Sequence, residues 1–260
     1  YASLPYVRYY TVNDDTWSES DTWPHELSAT QELFLHIDGT LSPEIPALAT
    51  GEMMYTSVPT NPVPTLFGAI LAESGSVTQG PGNIRSLELR DDVLVFTTPP
   101  SLSPFTLTGP TRARLFVSCD AVDTDFAVRM TDVSPDGQST LLVDSIRRAS
   151  LRGTYASNAW LSPGEVYAVE VEIPSVAVRI PADHRLRISV APSNYDKSDV
   201  NPQNGGAFGE DGVPMDAQCT VYCSAMYPSS VTLTFAVPEP GGVACVGGAW
   251  LVAWRRMFLS

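Results

Sequence analysis

The chain lacks most of the signatures that announce a catalyst or a nucleic-acid binder. The nucleophile elbow G-x-S-x-G, whose tight strand-to-helix turn would present a reactive serine, is absent. Histidine is scarce, three in 260 residues. His25 sits in a proline-bounded loop, His36 in an expected strand and His184 in the tight turn Pro181-Ala-Asp-His184. None stands beside a recognisable nucleophile motif, so no complete catalytic triad is expected and no residue is assigned as catalytic. Charge is also sparse, at 17% of residues, and positive charge more so: 15 Lys and Arg stand against 29 Asp and Glu, a formal net charge of −14. Such a surface repels phosphate backbones, which excludes nucleic acid as a partner and suits an exported or salt-tolerant protein. The four cysteines are Cys119, Cys219, Cys223 and Cys245. Cys219-x-x-x-Cys223 has the wrong spacing for a zinc knuckle and no second pair or nearby His completes it. On one strand, Cys219 and Cys223 would share a face two pleats apart, too far for a relaxed disulfide. The cysteines are therefore read as small buried side chains, and no metal or cofactor site is assigned. Strand–helix alternation is missing too, which excludes Rossmann and barrel α/β folds.

What the chain does contain is strand after strand. Residues 111–137 set the pattern. Ala113, Leu115, Val117 and Cys119 alternate with Arg112, Arg114, Phe116 and Ser118, the period of a half-buried strand. After an acidic turn at 120–125, Phe126, Val128 and Met130 alternate with Ala127, Arg129 and Thr131, and Ser134-Pro-Asp-Gly137 closes the run as a type I turn. The two runs are expected to lie side by side in the middle of one antiparallel sheet.

Other strands are expected at 6–12, 32–37, 92–98, 105–108, 165–173, 175–180, 185–190, 219–224 and 230–237, with 140–145 and 146–151 forming one bent strand or two. Trp17 and Trp23 flank a polar loop and are expected to pin it to the core. Between 42 and 82, six prolines and several glycines interrupt regular structure. Only short β segments such as 53–56 fit there, so this stretch is either a functional loop or a packing arm. Hydrophobic residues at 43% suffice for a sizeable core. The expected fold is all-β: a two-sheet sandwich, most simply a galactose-binding-like jelly roll over residues 1–236, followed by a short hydrophobic tail.

Two polar clusters invite a functional reading. Asp120, Asp123, Asp125 and Asp132 offer the hard oxygens calcium prefers, but without the spacing or glycine of an EF-hand; turn-forming side chains account for them as well. Residues 193–206 are dense in turn formers and amides. Asn194, Tyr195, Asn201 and Asn204 are the candidate cleft-lining residues, with backbone capping as the alternative use.

The end of the chain differs. Val237-Pro238-Glu239-Pro240 precedes an uncharged Gly/Ala-rich apolar run ended by Arg255-Arg256. The run is shorter than the roughly 20 residues of a spanning helix. Residues 237–260 resemble the PEP-CTERM sorting tail of exported bacterial proteins, which implies an exosortase-type processing partner, basic residues held on the cytoplasmic side and transient anchoring in the envelope of a Gram-negative-type bacterium.

Several separated stretches resemble one family in one order: Y-V-R-Y-Y-T-V-N-D-D-T-W-S-E-S-D-T-W at 6–23, then 35–41, 90–98, 107–137, 163–172, A-D-H-R-L-R-I-S-V-A-P-S-N-Y-D-K-S-D-V-N-P-Q-N-G-G at 182–206, Thr220-Val-Tyr222 and Pro228-Ser229. They are similar to the C-terminal β-sandwich of the cocaine esterase and Xaa-Pro dipeptidyl-peptidase serine hydrolases. The resemblance implies a non-catalytic accessory domain that packs on an α/β-hydrolase domain, walls its substrate cleft and sometimes makes dimer contacts. It implies that the triad lies upstream of this chain, which is read as a fragment, and that 42–82 and 193–206 face the catalytic domain. Cys223-Ser224 stands where members often carry a His-Asp pair. The competing expectation is a stand-alone carbohydrate- or ligand-binding sandwich, with Trp17, Trp23 and Trp160 on one open face.

Overall fold

Alternating apolar residues and the near-absence of helix signals produce what they should, an antiparallel β protein. The computed structural model describes residues 5–70, 78–206 and 213–237. The strands are β1 (Val7–Thr11), β2 (Thr16–Ser20), β3 (Ser28–Leu35), β4 (Leu41–Ser42), β5 (Glu52–Ser57), β6 (Leu94–Thr97), β7 (Phe105–Cys119), β8 (Asp125–Val133), β9 (Ser139–Arg148), β10 (Tyr167–Ile180), β11 (Arg185–Ala191), β12 (Ala217–Tyr222) and β13 (Ser230–Ala236). Among the described residues the one helical element is a single turn at Ala149–Leu151.

The strands form three sheets. β1 and β2 make a hairpin, so Trp17 lies in a strand where a polar loop was expected. A seven-stranded sheet runs β4-β3-β13-β7-β12-β5, with β10 on the other edge of β7; a four-stranded sheet runs β6-β11-β8-β9. The two runs expected to pair do not. β7 belongs to the larger sheet and β8 to the smaller, because the turn at 120–124 carries the chain from one sheet to the other. Alternation fixes which face of a strand is apolar and leaves its neighbour open.

Their facing sides make one core. Leu115 and Val117 of β7, Leu33 of β3 and Leu233 of β13 join Phe126 of β8 and Ile188 of β11, all fully buried. Each such side chain contributes about 1.5–3 kcal/mol by leaving water.

β7 is longer than expected, absorbing the segment at 105–108, and it bends midway. Gly109 has φ +127°, which strains any other residue, and a Cβ there would meet Pro24 and Thr234 at 3.0 Å. Pro110 removes the next ladder donor. Both neighbours slip register at this level, between Ile173 and Val176 in β10 and between Thr232 and Phe235 in β13. β10 is likewise one strand through that slip, and β9 one strand over 139–148.

The proline-rich segment is a packing arm. It contributes β5, and residues 58–70 and 78–93, the arm with its continuation, then lie on the outer face of the four-stranded sheet. Val63, Ile84, Leu87 and Val93 make a second apolar cluster there with Ala127, Leu141 and Ala191. β8 is consequently buried along its whole length, on both faces. Of the tail, Val237 bonds its N–H to the Leu27 carbonyl at 2.7 Å. Pro238, Glu239, Pro240, Cys245, Arg255 and Arg256 lie outside the described residues.

Candidate functional site

The densest polar chemistry lies where the arm meets the four-stranded sheet. β8 directs Arg129 outward from the shared core, and the arm then covers it, leaving it 2% exposed. Arg129 Nη2 donates to the Ser193 carbonyl at 3.0 Å and to Asn194 Oδ1 at 2.8 Å. Thr65 Oγ1, from the arm, donates to the same Asn194 oxygen at 2.9 Å. Asn194 Nδ2 donates to Asp144 Oδ2, and Lys197 Nζ reaches Asp144 Oδ1 at 2.7 Å. Burial lowers the Arg129 pKa to about 10, so the guanidinium stays charged at neutral pH.

A second set lies farther along the same face. Glu88, whose side chain is fully buried, bonds Arg187 and accepts from Ser139 Oγ at 2.6 Å and Thr131 Oγ1 at 3.3 Å. Arg85 stands 3.5 Å away. Sequence reasoning missed both sets, Glu88 in one and Arg129 with Asp144 in the other. The available signal was a lone arginine flanked by Ala127 and Thr131, residues small enough for a covering layer.

The acidic cluster splits three ways. Asp120 Oδ1 accepts the Gln218 N–H at 2.8 Å. Asp123 takes the Ser150 N–H at 2.8 Å and the Ser150 hydroxyl at 3.0 Å. Asp125 pairs with Arg148 Nε at 3.0 Å. Asn201 Nδ2 ties Asp123 to Asp125, at 3.1 and 2.9 Å. Burial raises the pKa of Asp125 despite Arg148. Asp132 instead meets His184 Nδ1 at 2.7 Å; burial raises its pKa as well, partly offset by the histidine. Among the described residues no group of three or more His, Cys, Asp or Glu is arranged to hold a metal ion.

The four candidate loop residues therefore divide. Asn194 and Asn201 are buried and spend their amides on Arg129, Asp144, Asp123 and Asp125. Tyr195 is exposed. Asn204, half-buried, bonds the Val213 carbonyl and the Gly206 N–H.

Each histidine has its own local partners. His25 Nδ1 accepts the Leu27 N–H at 3.0 Å. His36 Nε2 stands 3.0 Å from Ser42 Oγ, a serine–histidine contact, but also 3.0 Å from the Glu44 carbonyl. With the proton on Nε2 the ring donates to the carbonyl and has no lone pair for the serine; with the proton on Nδ1 the serine hydroxyl donates to Nε2. The tryptophans do not share a face. Trp17 sits on the β1–β2 hairpin, joined to β10 through the Val12–Val178 bridge, whereas Trp160 precedes Leu161, which bonds the Val122 carbonyl at the far end of β7. An apolar cavity of about 690 Å³ opens beside that hairpin, lined by Tyr10, Ile70, Leu142, Val176 and Val178 among others.

Among the described residues this is an antiparallel β domain in which Arg129, Asp144, Asp123 and Asp125 bind loops to the sheet. Comparison with known proteins specifies which one. The model of the X-Pro dipeptidyl-peptidase C-terminal non-catalytic domain matches residues 2–232, and the chain belongs to that family. The cocaine esterase of Rhodococcus sp. (strain MB1 Bresler) is 32% identical over 245 residues, covering 89% of this chain and 42% of the esterase. The crystal structure of an aminopeptidase from a marine sediment archaeon, Thaumarchaeota archaeon, superposes with a TM-score of 0.81 at 28% identity, over 89% of this chain and 41% of that one. An α-amino acid ester hydrolase shares the fold, with a TM-score of 0.78 at 24% identity over 89% and 41% of the two chains. The chain thus spans less than half the length of these proteins, in which its counterpart is one part of a larger hydrolase.

Proposed function

We propose that this chain is the accessory domain of an exported serine hydrolase acting on esters, amides or X-Pro peptides, and that it docks on the catalytic α/β-hydrolase domain and walls its substrate cleft. The observation that carries the reading is the family match across residues 2–232, reinforced by relatives that embed the same domain in longer hydrolase chains. Within that reading the sandwich is a jelly roll of galactose-binding type. The arm and the loop at 193–206 supply the docking face, with Tyr195 and Asn204 as its solvent-accessible members and Asn194 and Asn201 holding the loop in shape from beneath. Dimer contacts and tail-directed sorting to the cell envelope by an exosortase-type enzyme, through Val237, Pro238, Glu239, Pro240, Arg255 and Arg256, complete the proposal; the tail is its only membrane contact.

The test is the natural gene product. Its coding sequence is expected to place a G-x-S-x-G-bearing α/β-hydrolase domain ahead of Tyr1, and the full product to hydrolyse a chromogenic ester or X-Pro anilide. A secretion signal directly before Tyr1 would overturn the proposal in favour of a stand-alone ligand-binding module.

A further inference from the structure

Cys119 ends β7 and Cys219 lies in β12, and the register sets the two directly opposite each other. The kind of opposition matters. Antiparallel pairs alternate between hydrogen-bonded and non-hydrogen-bonded, and in the latter the Cα atoms stand only about 4.5 Å apart. The next pair along, Asp120 and Gln218, is hydrogen-bonded: the Asp120 N–H donates to the Gln218 carbonyl at 3.2 Å. Cys119 and Cys219 therefore occupy a non-hydrogen-bonded pair, whose Cα separation lies within the roughly 4.4–6.8 Å that a disulfide spans. Their side chains already face one another, with the Sγ atoms 3.5 Å apart and both residues buried.

We propose that Cys119 and Cys219 form a disulfide site, closed as the chain folds in the presence of a small-molecule or protein disulfide, which clamps the end of β7 to β12. The inference rests on register and contact alone and is independent of the proposed location and partner. The Cys119 thiolate attacks one sulfur of the oxidant, releasing one thiolate and leaving a mixed disulfide. The Cys219 thiolate then attacks Cys119 Sγ and expels the second thiolate. Two protein thiols lose two electrons and two protons, and one disulfide becomes two thiols. Order of attack follows from the surroundings. The Cys219 contact, together with the Ala121 N–H at 3.5 Å, draws the Cys119 thiol below its ordinary pKa, while the same contact and burial raise Cys219. Cys223 is set apart: its sulfur faces the Val221 carbonyl at 4.0 Å, and burial pushes its pKa up to about 12.

The experiment is to refold the reduced full chain in a buffer rich in glutathione disulfide, so that burial of the native thiols does not limit access. Remaining thiols are then alkylated, and the protein is mapped without reduction after trypsin and chymotrypsin, the latter cutting after Tyr222 between Cys219 and Cys223. A cross-linked peptide pair holding Cys119 and Cys219, with Cys223 and Cys245 alkylated, is the expected result. Reduction should then lower Tm by roughly 5–10 °C, given the 100-residue loop the bond closes. Folded chain with Cys119 and Cys219 both alkylated, or a bond joining either to Cys223 or Cys245, would overturn the assignment.

Discussion

β7 and β8 carry nearly the same alternation of apolar and polar residues, yet one exposes Pro110, Arg112 and Arg114 on its outer face and the other is buried throughout. On β7, Arg112 and Arg114 face solvent, and Arg112 meets Glu170 and Glu172 of β10 at 3.4 and 3.8 Å. On β8, Arg129 and Thr131 point outward in the same sense and are covered by residues contributed by the arm. The difference lies in a segment some forty to seventy residues away, not in either strand. The buried Glu88 carboxylate is satisfied by Ser139, Thr131 and Arg187, whereas the buried Arg129 guanidinium bonds Asn194 and the Ser193 carbonyl through Nη2 and leaves Nη1 without a partner among the described residues.

That contrast orders the expected effects of substitution. Glu88→Ala takes from Arg187 its carboxylate, leaving it only the Thr97 hydroxyl among the described residues, and should cost about 3–5 kcal/mol in denaturant unfolding; a loss below 1 kcal/mol would mean the arm is only loosely applied. Asn194→Ala removes the amide joining Thr65, Arg129 and Asp144 and should cost about 1–3 kcal/mol, with faster proteolysis within 58–93 than within β7.

Asp125 tests the same burial by pH. Its folded pKa is raised, so between the ordinary value near 4 and the raised one, the folded state holds a proton that the unfolded state has lost. Stability is therefore greatest below that window and falls as pH rises through it. Asp125→Asn should flatten the decline in Tm as pH rises above about 4, and an unchanged slope would place the charge elsewhere. At the exposed end of the comparison, Arg112→Ala should change stability by at most about 1 kcal/mol, diminishing with salt.

The sequence made the strands legible because period-2 alternation reports one buried face directly. Leu115, Val117, Phe126, Val128, Leu186 and Ile188 all point inward as their spacing requires. Pairing was less legible. β7 and β8 looked like hairpin partners, since nothing in alternation distinguishes a turn within a sheet from a crossing between sheets. The strand at 16–20 was hidden by its polar sequence, T-W-S-E-S, which pairs with β1 partly through exposed side chains, Arg8 with Glu19 and Tyr10 with Trp17, and buries little. Buried polar groups were the least legible: Asn194 and Asn201 read as cleft-lining or backbone-capping amides because turn-rich loops usually use them so, and their partners Asp144, Asp123 and Asp125 are 50 to 78 residues away in the chain.

The central claim, a folded hydrolase domain without hydrolytic chemistry, is tested most directly by offering the purified full chain a chromogenic short-chain ester, an X-Pro anilide and a serine-directed fluorophosphonate probe. The account predicts a β-rich circular dichroism spectrum, no turnover above buffer and no covalent labelling. Turnover that persists through purification, with stoichiometric labelling of one serine, would contradict it and point first to Ser42 beside His36.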